Sequence, residues 1–439
     1  MKVLTIFPDI LYIIKIRQST NDVDKKIRPI GFIFHKERNM DICFVVTQPS
    51  RGSPGTFERI HSIVKHLSIF RIGARVLTPF PEDITNYPDI RVESIPTSLS
   101  RIGMESLAYS IGRMLHSYKP SSNLFLSHKS IMTQIEMITK GIENKITNTN
   151  TDIIHTVQPW ASLACSRLAQ VRGIPLISDL HNIWSEEAVS RGQVTRNDPS
   201  FLRLHEYEQQ VIDSSDSLTV VSEEMRSYIT DNYIVEKKPV IVLPPGGTLR
   251  QVTDSLERKK NVVYAGLVNK IEHVDLFANS IPYVRKNANF FISKNGDALR
   301  SVQKITKSDR FPVINYIWFR KYDELIRLLQ SSRIGVVTSQ VSTSRRIGPP
   351  LKLFEYLSCA LPVVGNKIGG WSDMIEKEHV GITTKEDPHC LAEAIDEILG
   401  NDSKFEAMSK NAVRTIKNKY NWNIHVREIL IPLYNKLLE

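Results

Sequence analysis

The sequence predicts an α/β protein built from two doubly wound, Rossmann-like domains. Short apolar runs alternate with helical patterns along the chain, which is typical of parallel sheets covered by helices on both faces. At 439 residues the chain is longer than one ordinary hydrophobic core supports, so two domains are expected. The turn residues Pro244-Pro245-Gly246-Gly247 interrupt the alternation near the middle of the chain.

The first half opens with a buried strand at 41–47. A loop that contains Gly52 and Gly55 and then a helical pattern to Phe70 follow it, as at the start of a Rossmann-like unit. A plain strand-to-helix turn is the alternative. Further strands are predicted at 74–78, 90–95, 152–157, 175–180, 217–221 and 240–243, and further helices at 104–118, 125–142, 161–172, 204–211 and 222–228.

The second half restarts at Asn261 with an apolar strand that ends at Gly266. Alternation of strands and helices then continues to the end of the chain. The strands are predicted at 290–293, 313–316, 334–338 and 362–364, and the helices at 322–329, 351–360, 391–399, 405–417 and 420–438.

Domain boundaries follow from these breaks. Residues 40–247 form the first domain, 248–260 a polar linker, 261–419 the second domain and 420–439 a terminal helix. Residues 1–39 are expected to be an accessory extension, and the alternative is that translation begins at the methionine that follows them. The motif Asp22-Val23-Asp24 within the extension has no strand before it, so we assign no metal site there.

A net charge of +10 limits the partners that we expect. Positive charge favours an anionic membrane surface or an anionic substrate, although it also serves solubility. Zinc-finger spacing and aromatic RNA-binding runs are missing from the sequence, so no nucleic-acid partner is predicted. The four cysteines are widely spaced, which indicates buried thiols of a reducing cytosol rather than a disulfide framework. No apolar run is long enough to span a bilayer.

The most informative stretch of the chain is 345–364, RRIGPPLKLFEYLSCALPVV. Proline is excluded from a helix interior but favoured in the first turn, so a helix begins near Pro350 and Leu351. A helix N-terminus offers free amides and a positive dipole to phosphate. Arg345 and Arg346 add positive charge before it, so the stretch predicts a phosphate site.

Two side chains inside that helix extend the prediction. Lys352 adds a third cation, and Glu355, one turn further, can accept hydrogen bonds from two vicinal hydroxyls such as those of a ribose. Phosphate donors beside a ribose acceptor predict a nucleoside-diphosphate site. The alternative is a surface helix on which Lys352 and Glu355 form a weak ion pair.

Three segments of this region carry a family resemblance. Lys352-Leu353-Phe354-Glu355-Tyr356, then Leu361-Pro362-Val363-Val364 and then Ile368-Gly369-Gly370 resemble the C-terminal signature of the family-4 (group 1) retaining glycosyltransferases with the GT-B fold. The resemblance covers roughly 41–439. It implies a cleft between an N-terminal acceptor-side domain and a C-terminal nucleotide-sugar-binding domain, with a terminal helix that returns to the first domain.

The resemblance also implies the chemistry. Members of this family transfer a sugar from a nucleoside-diphosphate sugar with retention at the anomeric carbon, and we expect a metal-independent hexosyltransferase. No cofactor is expected beyond the donor, which is a co-substrate. Positive groups and helix amides would stabilise the charge that gathers on the leaving diphosphate.

Individual site residues follow from matching this chain to the family pattern. His181 follows the strand 175–180, at the sheet edge where ligands gather, and a structural histidine is the alternative. The catalytic candidates are His181, Lys270 and Glu355. The donor-binding candidates are Gly55, Gly266, Lys270, Arg346, Lys352, Leu353, Glu355, Gly369 and Gly370, and no metal ligand is expected.

Two positions depart from the family pattern. Leu267 stands where the family usually has a phosphate-binding arginine, and Ile347 stands where it often has the first of two glutamates. The groups that we expect to compensate are Lys270, Arg345 or Arg346 for the arginine and the backbone around Gly348 for the glutamate. These departures motivate one alternative, an inactive GT-B subunit that binds a nucleotide sugar or a partner enzyme. A GT-B nucleotide-sugar epimerase is a second alternative.

The expected partners are a nucleotide-sugar donor and a glycan or lipid-linked acceptor of the cell envelope. We expect a cytoplasmic protein with peripheral contact at the inner face of the cell membrane, where basic side chains of the first domain would touch anionic lipid.

Overall fold

The structure is a computed structural model that describes residues 40–47, 54–79, 87–95, 128–250, 258–319 and 322–439. The expectations for the extension 1–39, the helix 104–118 and the linker residues 251–257 fall outside this part of the chain. Both sheets described below lie in one compact unit.

The first half is built on a parallel sheet. Within the described residues it has seven strands in the order β3-β2-β1-β4-β5-β6-β7. The strands are β1 (Asp41–Val46), β2 (Gly73–Thr78), β3 (Val92–Ser94), β4 (Ile153–Val157), β5 (Leu176–Leu180), β6 (Ser217–Val220) and β7 (Val240–Val242). The helices are α1 (Pro54–Ile69), α2 (His128–Thr147), α3 (Pro159–Arg172), α4 (Trp184–Ser190), α5 (Pro199–Ser214) and α6 (Glu223–Asn232).

The second half repeats this order. Its described strands form a six-stranded parallel sheet, β10-β9-β8-β11-β12-β13. The strands are β8 (Asn261–Tyr264), β9 (Asn289–Ser293), β10 (Ile314–Ile317), β11 (Ile334–Val337), β12 (Val363–Asn366) and β13 (Gly381–Thr384). The helices are α7 (Val274–Ser280), α8 (Leu299–Ile305), α9 (Tyr322–Gln330), α10 (Thr343–Ile347), α11 (Leu351–Ser358), α12 (Trp371–Lys377), α13 (Pro388–Gly400), α14 (Asp402–Asn418), α15 (Trp422–His425) and α16 (Ile431–Leu438).

Both sheets are doubly wound. The strands are parallel, and the order in which successive strands are added reverses between β1 and β4 in the first sheet and between β8 and β11 in the second. All residues of β4, β5 and β11 are buried, as expected for parallel strands covered by helices on both faces. The predicted α/β class with two Rossmann-like sheets is therefore confirmed. At a reversal point the carboxyl ends of strands leave a crevice in which ligands of such folds bind.

The last part of the chain returns to the first half. Trp422, Val426, Leu430 and Tyr434 are buried in the same apolar cluster as Phe44 of β1. The single helix predicted at 420–438 is wrong in detail, because a π-helical turn at Val426–Leu430 separates α15 from α16. Proline at position 432 has no amide hydrogen to donate to the preceding turn, which accounts for the interruption.

Two chain segments connect the halves and touch each other. The Gly247 amide donates to the Tyr420 carbonyl at 2.7 Å. Gly246 packs flat on Trp422, since a Cβ at this glycine would lie 2.5 Å from the indole ring. The crossing segments are thus held together at the base of the cleft between the halves.

A short helix that the sequence analysis does not include precedes the helix predicted near Pro350. Thr343–Ile347 form α10, whose N-terminus is capped by the Ser342 hydroxyl accepting from the Arg345 amide. Serine is a favourable N-cap because it satisfies an amide without a helical partner. Pro350 is the N-cap of α11 rather than a residue of its first turn.

Candidate active site

Three charged side chains meet at the reversal point of the second sheet. Arg345 Nη1 donates to Glu272 Oε1 at 3.2 Å, and Lys352 Nζ contacts Glu272 Oε2. The three side chains are only 15%, 12% and 9% exposed for Arg345, Glu272 and Lys352. Two cations against one carboxylate leave the cluster with one net positive charge, which suits an anionic ligand.

The pKa of Glu272 reflects this arrangement. Burial raises the pKa of its carboxyl, but Lys352 and Arg345 outweigh burial and hold the pKa below its usual range. Glu272 is therefore ionised at neutral pH and fixes both cations in place. Arg345 Nε is buried and has no hydrogen-bond partner in the described part of the chain, so a guanidinium donor remains for a ligand.

Local backbone geometry makes room for Lys352. A Cβ at Gly266 would lie 2.8 Å from Lys352 Cε, so a larger residue there would displace the Lys352 side chain from the end of β8. The ammonium also donates to the Tyr264 hydroxyl at 2.9 Å and lies 4.6 Å from the centre of that ring. The alternative of a surface ion pair between Lys352 and Glu355 is wrong, because Lys352 is buried and binds Glu272.

Glu355 lies one turn beyond Lys352, in a small cavity of about 70 Å³ that charged, polar and apolar side chains line together. The Tyr322 hydroxyl donates to its Oε1 at 3.2 Å. Burial raises the pKa of Glu355 to about 7; Tyr322 and Arg250 oppose this shift, and the carboxylate of Glu58 from the first half adds to it. A carboxylate with two acceptor oxygens at a partly enclosed site can bind a pair of hydroxyls.

His181 follows β5, and its backbone lies against the second half, since its carbonyl oxygen lies 3.8 Å from the position of a Cβ on Gly348. Its Nε2 donates to Asp179 Oδ2 at 2.8 Å, and the imidazole is 15% exposed. Asp179 is fully buried and also binds the guanidinium of Arg59. The histidine is therefore held by the strand that carries it.

Helix α10 joins the two halves. The Ser222 hydroxyl donates to the Ile347 carbonyl at 2.7 Å, and Arg196 Nη2 donates to Thr343 Oγ1 at 3.1 Å. Ile347, where the family often has a glutamate, packs into an apolar cluster of the first half. A contact between the halves thus occupies this position, and the same helix carries Arg345.

The predicted glycine pair lies against α10. Gly370 has φ 62°, and a Cβ there would lie 2.2 Å from the Arg346 carbonyl oxygen. Trp371 Nε1 donates to the Arg345 carbonyl at 2.8 Å. Gly370 thus allows a close approach of α10, and donor contacts at Gly369 and Gly370 stay predictions.

Four other predicted residues take no part in the two ion pairs of Glu272. Leu353 is fully buried and its amide donates to the Pro350 carbonyl, so its placement is that of a packing residue. Lys270 and Arg346 are exposed, and the two ion pairs of the cluster use Arg345 and Lys352 instead. Gly55 lies in the first turn of α1, and its surroundings fall outside the described residues.

Three residues of the site escaped the sequence reasoning: Glu272, Asp179 and Tyr322. Asp179 had a local signal, because residues two apart on a strand share a face and it lies two before His181. The partners of Glu272 lie 73 and 80 residues away, so no local pattern indicates its role. Among the described residues, no cluster of three or more His, Cys, Asp or Glu side chains is arranged to hold a metal ion.

Comparison with known proteins identifies the family. Residues 259–401 match the family model of group 1 glycosyl transferases, and residues 114–249 match that of Glycosyltransferase Family 4. The D-inositol 3-phosphate glycosyltransferase of Paenarthrobacter aurescens is 21% identical over 301 residues, which cover 62% of this chain and 69% of the relative.

Solved structures agree in fold over nearly the whole chain. Sucrose-phosphate synthase from Thermosynechococcus elongatus superposes with a TM-score of 0.65 at 16% identity, covering 91% of this chain and 99% of that one. Anabaena HepE in complex with UDP and glucose gives a TM-score of 0.64 at 13% identity, covering 90% and 100%. Two matching family models, one in each half, and the shared architecture lead to one assignment: the chain belongs to the group 1 (family 4) glycosyltransferases and has the GT-B fold.

Proposed function

We propose that this glycosyltransferase transfers a hexosyl group from a nucleoside-diphosphate sugar to an acceptor with retention at the anomeric carbon. The observation that carries the proposal is the cluster of Arg345, Lys352 and Glu272, with Glu355 one turn further on the same helix. Its net positive charge fits a diphosphate, and Glu355 fits a ribose. HepE, a structural neighbour, binds UDP and glucose, which supports a donor of this class.

The roles of the residues follow from their chemistry. As the bond between sugar and diphosphate breaks, negative charge gathers on the leaving phosphate. Arg345 and Lys352 offer fixed positive charge for it, and the N-terminus of α11, which no side chain caps, adds backbone amides. His181 lies on the opposite wall and can contact the sugar. These groups supply the electrostatic stabilisation, so we propose that turnover needs no metal ion.

The acceptor side of the proposal concerns the first half. We propose a glycan or lipid-linked acceptor of the cell envelope, reached from the cytoplasmic face of the membrane. In the described part of the chain, no helix is both long and apolar enough to cross a bilayer. The net charge of +10 supports peripheral contact with anionic lipid. Flotation with anionic vesicles but not with neutral ones is expected, and equal flotation with both would contradict this contact.

Product analysis tests the activity. Purified protein is incubated with UDP-glucose, GDP-mannose and candidate acceptors, with and without EDTA. Nucleotide release and the anomeric configuration of the product are followed by NMR. We expect acceptor-dependent release, an α-linked product from an α-linked donor, and no loss of rate with EDTA. An inverted product would contradict retention, and loss of rate with EDTA would contradict metal independence.

The two alternatives predict other products, and the comparisons favour neither of them. An epimerised nucleotide sugar formed without acceptor would indicate the epimerase. Binding of the nucleotide sugar without its cleavage would indicate an inactive subunit.

A further inference from the structure

His181 is held by a buried chain of polar contacts that begins where the two halves are joined. Asp179 Oδ2 accepts from His181 Nε2 at 2.8 Å and from Arg59 Nε at 3.1 Å. Asp179 Oδ1 accepts from Arg59 Nη2 at 3.2 Å and from Thr219 Oγ1 at 2.8 Å. The carboxylate is therefore surrounded by four donors, and of these the imidazole, 15% exposed, is on the residue whose backbone lies against the second half.

Arg59 connects this carboxylate to both crossing segments. Its Nη2 donates to the Leu243 carbonyl at 2.8 Å and its Nη1 to the Pro244 carbonyl at 3.2 Å, directly after β7. Its guanidinium carbon lies 5.3 Å from the centre of the Trp422 ring on the returning segment. One buried guanidinium thus touches the outgoing segment, the returning segment and the partner of His181.

The charge state of Asp179 is fixed by its neighbours. Burial alone would raise the pKa of this carboxyl, but Arg59 and His181 outweigh burial and hold the pKa well below its usual range. An ionised carboxylate can only accept hydrogen bonds. The histidine nitrogen that faces it must therefore carry a hydrogen.

We propose that Asp179 and Arg59 are positioning residues, which hold the His181 imidazole in the tautomer with hydrogen on Nε2 and couple its orientation to the segments that join the two halves. The neutral ring then presents Nδ1 as a hydrogen-bond acceptor. A sugar hydroxyl in the cleft can donate to that nitrogen. The proposed contact between His181 and the sugar rests on the proposed function, whereas the tautomer is a property of the protein without any ligand.

The tautomer can be measured directly. In the full chain labelled with ¹⁵N-histidine, at an alkaline pH where imidazoles are neutral, the ring signals of His181 are assigned by their loss in His181→Gln. We expect Nε2–H to exceed Nδ1–H by at least about tenfold, since a hydrogen bond to a charged group contributes about 1.4 kcal/mol or more. A wild-type ratio near one, or a preference for Nδ1–H, would overturn the proposal.

Variants separate positioning from general stability. Asp179→Asn removes the charge and offers an amide that can donate or accept, so the ratio is expected to fall to within about threefold of one. Arg59→Lys cannot hold both carboxylate oxygens, and a smaller fall in the same direction is expected. Thr219→Val removes a different contact of Asp179 and leaves both hydrogen bonds from Arg59 to this carboxylate. It should therefore leave the ratio of Nε2–H to Nδ1–H unchanged. Unchanged ratios in both folded variants, Asp179→Asn and Arg59→Lys, would contradict the coupling, and the wild-type ratio remains decisive if Asp179→Asn does not fold.

Turnover gives a second readout. If Asp179 acts through His181, Asp179→Asn lowers kcat in the wild-type background and has no further effect in His181→Ala. Equal effects in both backgrounds would mean a structural role. Absence of turnover in the wild type would count against the proposed function alone, since the tautomer measurement needs no donor.

Discussion

Glu272→Gln is the substitution whose consequences follow most directly from the geometry of the site. It leaves Arg345 and Lys352 side by side without the carboxylate that both of them contact. Breaking a buried ion pair costs about 3–5 kcal/mol, and the residual exposure of 9% to 15% places this case near the lower end. We therefore expect the free energy of unfolding to fall by about 3 kcal/mol in urea titrations of the ligand-free protein.

The same substitution should tighten nucleotide binding. The net charge of the cluster rises from +1 to +2 when the carboxylate of Glu272 is lost, counting Arg345 and Lys352. A unit charge about 5 Å from a phosphate contributes roughly 3 kcal/mol at an effective dielectric constant of 20. Even half of this lowers Kd about tenfold. Destabilisation without ligand and tighter binding with ligand form an unusual pair of effects.

Calorimetric titration with UDP, GDP and ADP measures the Kd, using the nucleotide that binds the wild type most tightly. Glu376→Gln is the matched control, because Glu376 pairs with Lys367 at 3.0 Å on the surface of the same half, with both side chains about half exposed. Water screens an exposed pair of this kind, so it contributes little, and its loss should leave Kd unchanged. An unchanged or larger Kd in Glu272→Gln would refute the placement of the diphosphate at this cluster.

Two further predictions concern Glu355 and Gly370. Because the pKa of Glu355 is raised to about 7, its carboxylate forms as pH rises. The affinity for UDP-glucose should therefore increase up to about tenfold between about pH 6 and pH 8. Glu355→Gln should abolish this increase, and a wild-type affinity that does not change with pH would contradict the prediction. Gly370→Ala forces a side chain into a left-handed conformation and against the Arg346 carbonyl, so a loss of more than about 2 kcal/mol is expected; Gly173→Ala, with φ 63° but open space around it, should lose only about 1 kcal/mol in the same urea titration.

Much of the fold could be predicted because its signals are local. Helix α5 was expected at 204–211 but begins at Pro199, where Asp198 caps the Ser200 amide and proline occupies the first turn. The alternation of strands and helices fixed the class, and the break at Pro244 marked the crossing between the halves. Errors concern element ends, where one cap residue decides the boundary.

The candidate site was predicted only in part, for a physical reason. Lys352 and Glu355 share one helix, so their spacing could be read directly from the sequence. The third member of the cluster, Glu272, depends on how distant segments pack, and the same is true of the contact between Ser222 and Ile347. Pairings between single side chains far apart in the sequence leave no periodic signal. The sequence therefore shows that isoleucine stands at position 347 where the family often has a glutamate, but not why.

A nucleoside diphosphate that binds at Lys352 and Glu355 should stabilise the folded protein against heat. Thermal unfolding of the wild type and of Glu355→Ala is measured with saturating UDP, GDP and ADP. At a hundred times its Kd, a ligand stabilises the folded state by about 2.7 kcal/mol. We expect an increase in Tm with one nucleotide, lost in Glu355→Ala. No increase with any nucleotide, or an equal increase in Glu355→Ala, would contradict binding at this site.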